Sequence, residues 1–242
     1  MFAISLNAME KSPATAGIGE IGALLRGESE RIREWLEQGS ARRTWLHAAV
    51  IIIGTGSFGA AMGWWRDPLQ ALYTAIKFPL IIFLTTVGNG MLNWMLASLL
   101  GLKISFRQSL QAVMTSYTIV ALILGALSPL LFFLVWNAPP MKPGAWGPYS
   151  FIQLTNVAAI AFAGVTSNLR LGQLLRRIGG GVGAGRRVLL AWLAGNLLLG
   201  SQLSWILRPF IGSPGMPVQF LRAGAFKGNF YETVFHAIGN LW

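Results

Sequence analysis

The sequence predicts an all-α fold, a polytopic membrane protein with five transmembrane helices, an N-terminal amphipathic helix and a C-terminal interfacial segment. Three observations predict it. Only 11% of the 242 residues are charged while 54% are hydrophobic, whereas soluble domains carry about 25% charged residues, so one water-soluble domain of this size lacks polar cover for its apolar side chains. Uncharged apolar runs long enough to cross a bilayer recur five times, and the basic residues stand between them singly or in small groups. The mean hydropathy is +0.55. There are no cysteines, which removes disulfides, thiolate metal sites and cysteine nucleophiles.

Charge is unevenly placed. Residues 1–44 hold 6 basic and 6 acidic residues, while the remaining 198 hold 13 basic ones and 2 acidic ones, Asp67 and Glu232, so the net charge of +11 belongs to the hydrophobic body. Basic residues scattered between apolar runs do not form the basic face that nucleic acid needs. They predict anchors that meet the anionic headgroups of a lipid bilayer, with no nucleic-acid partner.

The first residues, Met1 to Leu6, have neither a basic n-region nor a long apolar core, and Glu10 and Lys11 interrupt them, so no signal peptide is expected. From Ile18 to Gln38, Ile21, Leu24, Leu25, Ile32, Trp35 and Leu36 recur at spacings of three and four, and Arg26/Glu30 and Arg33/Glu37 form opposite-charge i, i+4 pairs. This predicts one amphipathic helix that lies on lipid or docks a soluble partner.

Trp45 to Trp65 is an uncharged run of 21 residues between Arg42/Arg43 and Arg66/Asp67, and at 1.5 Å per residue it reaches about 31 Å, a bilayer core. Phe78 to Leu102, Leu110 to Trp136, Phe151 to Leu169 and Val188 to Leu207 are the other four runs. Asp67-Pro68 reads as an N-cap followed by proline at N1, so the second helix starts there, with a kink expected at Pro79 and another in the third span at Ser128-Pro129. Gly101 and Ser105-Phe106-Arg107-Gln108 predict a helix stop and a capping box. Pro139, Pro140, Pro143 and Pro148 with Gly144 and Gly147 make the next loop irregular.

Lysine and arginine near the span ends divide into Arg42, Arg43, Lys103, Arg107, Arg170, Arg176, Arg177, Arg186 and Arg187 on one side, against Arg66, Lys77, Lys142 and Arg208 on the other. The richer side is cytoplasmic by the positive-inside rule. The chain thus divides into a cytoplasmic tail with the amphipathic helix (1–44), a five-span domain (45–207) and an external segment with a short amphipathic helix (208–242).

Several motifs invite chemistry and lack what it needs. The glycine-rich Gly179 to Arg187 has no preceding strand, no Lys-Ser/Thr ending and no ribose-binding acid, so a flexible basic linker near anionic lipid is expected. Glu232 and His236 are two ligands where a metal needs at least three. No carboxylate lies inside any span, and no nucleophile elbow or serine-lysine arrangement occurs. No enzyme, cofactor or metal site is expected. Trp45, Trp64, Trp65, Trp136 and Trp146 fall at span ends as an interfacial belt.

Two patterns remain for binding or packing. Thr55, Gly59 and Gly63, with Gly56 and Ala60 alongside, Ala159/Ala163 and Ala191/Gly195 are small-xxx-small stripes for close helix packing, within the chain or against another subunit. Thr85, Asn89 and Asn93 form a polar stripe at spacing four through the second span, which Asn156, Asn168, Asn196 and Gln202 could meet from other helices. Such a stripe serves interhelical hydrogen bonds or lines a hydrophilic cavity or headgroup site. After Arg208, Pro209, Pro214 and Pro217 hold off a helix, and Phe230, Val234, Phe235, Ile238 and Trp242 then recur at helical spacing. Arg208, Phe230, Val234, Phe235 and Trp242 are therefore candidate contacts to lipid or to a neighbouring membrane subunit.

Gly63-Trp64-Trp65-Arg66-Asp67-Pro68-Leu69-Gln70-Ala71-Leu72, Ala75-Ile76-Lys77-Phe78-Pro79-Leu80 and Leu99-Leu100-Gly101 resemble bacterial members of the Yip family, membrane proteins similar to the eukaryotic Ypt-interacting proteins. Arg208-Pro209-Phe210-Ile211-Gly212-Ser213-Pro214 resembles a segment of a subgroup of these proteins. The resemblance implies five spans in the bacterial inner membrane with the N-terminus inside and the C-terminus outside. None of these stretches is a catalytic signature. The expected function is a non-catalytic integral membrane subunit, scaffold or adaptor of a larger membrane assembly; the alternative is a channel or carrier for a neutral or weakly polar solute, using Thr85, Asn89 and Asn93.

Overall fold

The structure is a computed structural model that describes residues 13–99, 104–142, 146–178 and 182–232. Its elements are α1 (Pro13–Arg26), α2 (Ser29–Gln38), α3 (Ala41–Trp64), α4 (Pro68–Leu99), α5 (Phe106–Asn137), α6 (Trp146–Ile178) and α7 (Val182–Leu207), with no strand among the described residues. Five of them are long and apolar enough to cross a membrane: α3, α4, α5, α6 over Trp146–Gln173, and α7 over Leu189–Leu207. Helices α4, α5, α6 and α7 close a ring of neighbours, and α3 lies in the groove between α4 and α5.

Small residues allow that close placement. A Cβ on Gly59 would stand 2.6 Å from the Thr74 carbonyl oxygen and one on Gly63 would stand 2.5 Å from that of Gln70, so these glycines let α3 meet the α4 backbone. On the other side Gly54 packs on the Ala121 backbone, and a Cβ on Gly125 would stand 3.0 Å from the Gly54 Cα. The small-residue stripe is therefore used within the chain. Phe58, Met62, Leu124, Leu131, Ile152 and Ala163 bring α3, α5 and α6 into one buried cluster.

Local signals of capping hold. Asp67 Oδ1 accepts the Leu69 N–H at 2.7 Å, and Ser105 and Gln108 form the reciprocal capping box. Both α4 and α5 run on through their prolines, Pro79 and Pro129. Gly147 and Pro148 belong to the first turn of α6 rather than to the loop before it, which fits proline's tolerance near a helix start. Val182 to Arg187 are likewise helical, so the predicted glycine-rich linker is shorter than its composition indicates.

The N-terminal stretch departs from its sequence reading in two ways. Gly27 adopts φ 70°, which breaks the predicted single helix into α1 and α2, and Arg26 pairs at 2.7 Å with Glu28. Most of its apolar stripe is covered by the chain itself: Leu24, Ile32 and Leu36 are buried against Ala97, Ile104, Ala112, Leu171 and Trp192, while Leu25 stays exposed. Glu20 of α1 takes Arg42 at 2.6 Å and lies 3.7 Å from Arg43, so part of the basic pair expected to anchor headgroups is tied to the chain's own carboxylate. Among the belt tryptophans, Trp45 is 76% exposed, and Trp136 and Trp146 are also exposed. Trp65 is instead buried and donates its indole N–H to the Pro139 carbonyl at 3.0 Å.

Candidate functional site: the polar face of α4

Helix α4 turns its polar side inward. Gln70, Thr74, Lys77, Thr85, Asn89 and Asn93 are all buried, whereas Leu72, Ile76, Leu84, Val87, Met91 and Met95 are exposed. Water would reverse that arrangement, since exposed apolar area and buried polar groups both raise the free energy of a soluble bundle. Hydrocarbon around the bundle makes it favourable, because the polar groups then find partners only inside.

At the N-terminal half of α4, this face holds the segment that follows α7. Gln70 Nε2 donates to the Phe210 carbonyl at 2.7 Å and the Pro209 carbonyl at 3.1 Å, and the Thr74 hydroxyl lies 2.7 Å from the Phe210 carbonyl. Lys77, fully buried, donates to the Pro209 carbonyl at 2.6 Å, with the Phe220 ring 4.9 Å and the Phe210 ring 5.9 Å from its Nζ. Lys77 was expected among the exposed flanking charges, and its position corrects that. Gln70 and Thr74 escaped the sequence reading as site residues because they precede the uncharged run; their i, i+4, i+7 spacing with Lys77 was the available signal.

Further along, the predicted stripe meets α7. Asn89 Nδ2 donates to Asn196 Oδ1, and the Trp192 indole N–H donates to the Asn93 main-chain carbonyl at 3.2 Å. Gly195 admits this approach, since a Cβ there would stand 3.3 Å from Asn89 Oδ1. Of the four candidate amides only Asn196 reaches the stripe: Asn156 and Asn168 donate to carbonyls of their own helix at 2.8 Å, and Gln202 accepts the Phe230 N–H at 3.1 Å. Both Asn93 amide atoms are buried without a hydrogen-bond partner, and the Tyr117 side chain of α5 faces Thr85 and Asn89. The face can thus bind through neutral donors and acceptors. The described residues hold no group of three His, Asp or Glu side chains placed for a metal.

Of the residues expected to dock a partner, Arg208 lies where α7 stops and Phe230 lies alongside α7, its N–H donating to Gln202. Arg208 sits over the Trp205 ring, and burial, then the neighbouring Arg222, pushes its pKa downward. Phe230 packs edge-on against Tyr231, whose hydroxyl donates to the Leu198 carbonyl at 2.7 Å. Val234, Phe235 and Trp242, with the short helix expected over them, lie outside the described residues, as does His236.

Fold and site together define a class: an all-helical chain with five helices built to cross a membrane and a polar helix face turned inward. No family model, no curated protein and no solved structure matches this chain.

Proposed function

We propose that this chain is a non-catalytic integral membrane subunit, a scaffold or adaptor of a larger membrane assembly. One observation carries the reading: the polar face of α4 holds together the chain's own parts, the 209–210 backbone through Gln70, Thr74 and Lys77, and α7 through Asn89. Such a face stiffens a framework and leaves the apolar outer surfaces of α4 and α6 to lipid or to neighbouring subunits. Of the charged contacts expected in part outside the chain, Arg42 is bound within it. The proposal includes a Yip-like family membership, residence in the bacterial inner membrane, a cytoplasmic N-terminus and an external C-terminus. The opposite ends of the bundle support that topology, since Arg42, Arg43, Arg107 and Arg170 lie near α1 and α2, while Arg66, whose side chain reaches the Ser213 carbonyl at 3.0 Å, lies near the C-terminal segment. Gentle extraction in neutral detergent followed by native mass measurement tests the proposal. A mass above that of one chain supports it; a functional monodisperse monomer overturns it.

A carrier for a neutral or weakly polar solute is the second reading, favoured by the unpartnered amide of Asn93. Asn93→Leu separates the two: loss of a solute flux in reconstituted vesicles with folding intact supports the carrier, and loss of assembly alone supports the scaffold.

A further inference from the structure

The end of the bundle where α7 stops carries a cluster of donors around Arg208. The guanidinium carbon of Arg208 stands 3.3 Å from the centroid of the Trp205 ring, and that of Arg222 stands 4.8 Å from the same ring. Four nitrogens of these side chains are buried without an acceptor: Nε of Arg208, Nε and Nη2 of Arg222, and Nε1 of Trp205. All four carry hydrogens and none can accept. The two acids of the hydrophobic body serve elsewhere. Asp67 caps α4, and Glu232 accepts from the Asn229 amide. Among the described residues neither forms an ion pair with Arg208 or Arg222.

Desolvated donors with no acceptor are costly, and two like charges gathered on one ring add repulsion that the indole face only partly offsets. One oxyanion would satisfy the donors and balance the charge together, and guanidinium groups match the tetrahedral oxygens of phosphate in pairs. The depth fits as well. Arg208 directly follows Leu207, where the last spanning helix ends, which is the level of phosphodiester headgroups.

We propose that Trp205, Arg208 and Arg222 form a binding site for a single phosphate-type oxyanion, presented by a phospholipid headgroup or free in solution. The site does not depend on whether the chain is a scaffold or a carrier.

The full chain, delipidated in neutral detergent, is titrated at constant ionic strength with dihexanoyl phosphatidylglycerol, inorganic phosphate or chloride, following melting temperature and bound mass. The expected result is a saturable rise with the lipid, with phosphate or with both, and none with chloride. A response to the lipid alone assigns the headgroup as the source, and an equal response to phosphate assigns the free anion. Arg222→Gln weakens the apparent affinity about tenfold or more. Trp205→Phe, which keeps a ring and removes one N–H, weakens it several-fold with an unchanged elution profile. This second variant decides the matter if Arg222→Gln is not monodisperse. Chloride matching both phosphate compounds, or Trp205→Phe binding as tightly as the parent, overturns the proposal.

Discussion

The ammonium of Lys77 donates to the main-chain carbonyl of Pro209 at 2.6 Å, joining the second spanning helix to a segment 132 residues further on. A charged side chain buried in a membrane helix is costly unless it finds oxygen or a cavity. Here a carbonyl and two aromatic faces take the ammonium, so the same contact that satisfies the charge also fixes where the chain runs after α7.

Removing that contact should free the segment more than it unfolds the bundle. Lys77→Met leaves Gln70 still bonded to the Pro209 carbonyl, so the loss is expected at about 1–2 kcal/mol. Trypsin should then cut at Arg222 and Lys227 several-fold faster while the melting temperature moves little. Unchanged cleavage would show that the contact does not hold the segment.

Gly59 and Gly164 form a matched pair for packing. A Cβ on Gly59 would stand 2.6 Å from a backbone oxygen, whereas one on Gly164 meets nothing within 4 Å. Gly59→Ala should destabilise the bundle by about 1–3 kcal/mol, the usual cost of overpacking, and Gly164→Ala should be near neutral or slightly stabilising in a helix. Thermal unfolding in detergent compares them directly, and equal melting temperatures would contradict the close α3–α4 approach.

The amide pair Asn89 and Asn196 should show energetic coupling. A double-mutant cycle with Asn89→Ala and Asn196→Ala is expected to return about 0.6 kcal/mol, the average for interhelical hydrogen bonds in membranes, and at most about 1.7 kcal/mol. Asn156→Ala, whose amide bonds its own helix, should show none with Asn89→Ala. Additive effects for the first pair would remove α7 from the role assigned to it.

Acid should loosen the corner between α1 and α2. The Arg26 side chain hydrogen-bonded to Glu28 holds that carboxyl below the usual glutamate range, with Arg31 adding to the effect. A depressed folded-state pKa contributes stability above the ordinary glutamate value, which is lost as pH falls through the lower one. The group is solvent-exposed, so the effect is small and salt-sensitive. After correction for the intrinsic pH dependence of exchange, protection of the amides around Gly27 should fall as pH drops below the ordinary glutamate value, and Glu28→Gln should remove that dependence.

Reporter fusions after Gln38, Pro140, Gly183 and Trp242 should read inside, outside, inside and outside in turn. The expectation rests on the lysine and arginine asymmetry and on the five helices. An external reading at Gly183 would refute the topology.

Much of this protein is legible along the chain alone. The five spanning helices, the caps at Asp67 and Ser105, the small-residue stripe of α3 and the polar stripe Thr85-Asn89-Asn93 all follow from run length, spacing and cap chemistry, which act between residues a few positions apart. What required the folded molecule was every question about who the neighbour is. Hydropathy marks Lys77 as a flanking charge and leaves the Leu24-Ile32-Leu36 stripe open to lipid or a soluble partner, yet both are buried against the chain's own distant parts. Four amides could have met Asn89, and only the closure of α4 against α7 at Gly195 selects Asn196. The same holds for Arg208 and Arg222, fourteen positions apart, whose guanidinium groups both stand over the Trp205 ring because of how the chain runs after α7. A side chain's polarity states that it needs a partner; which partner it finds depends on long-range packing that no local spacing encodes.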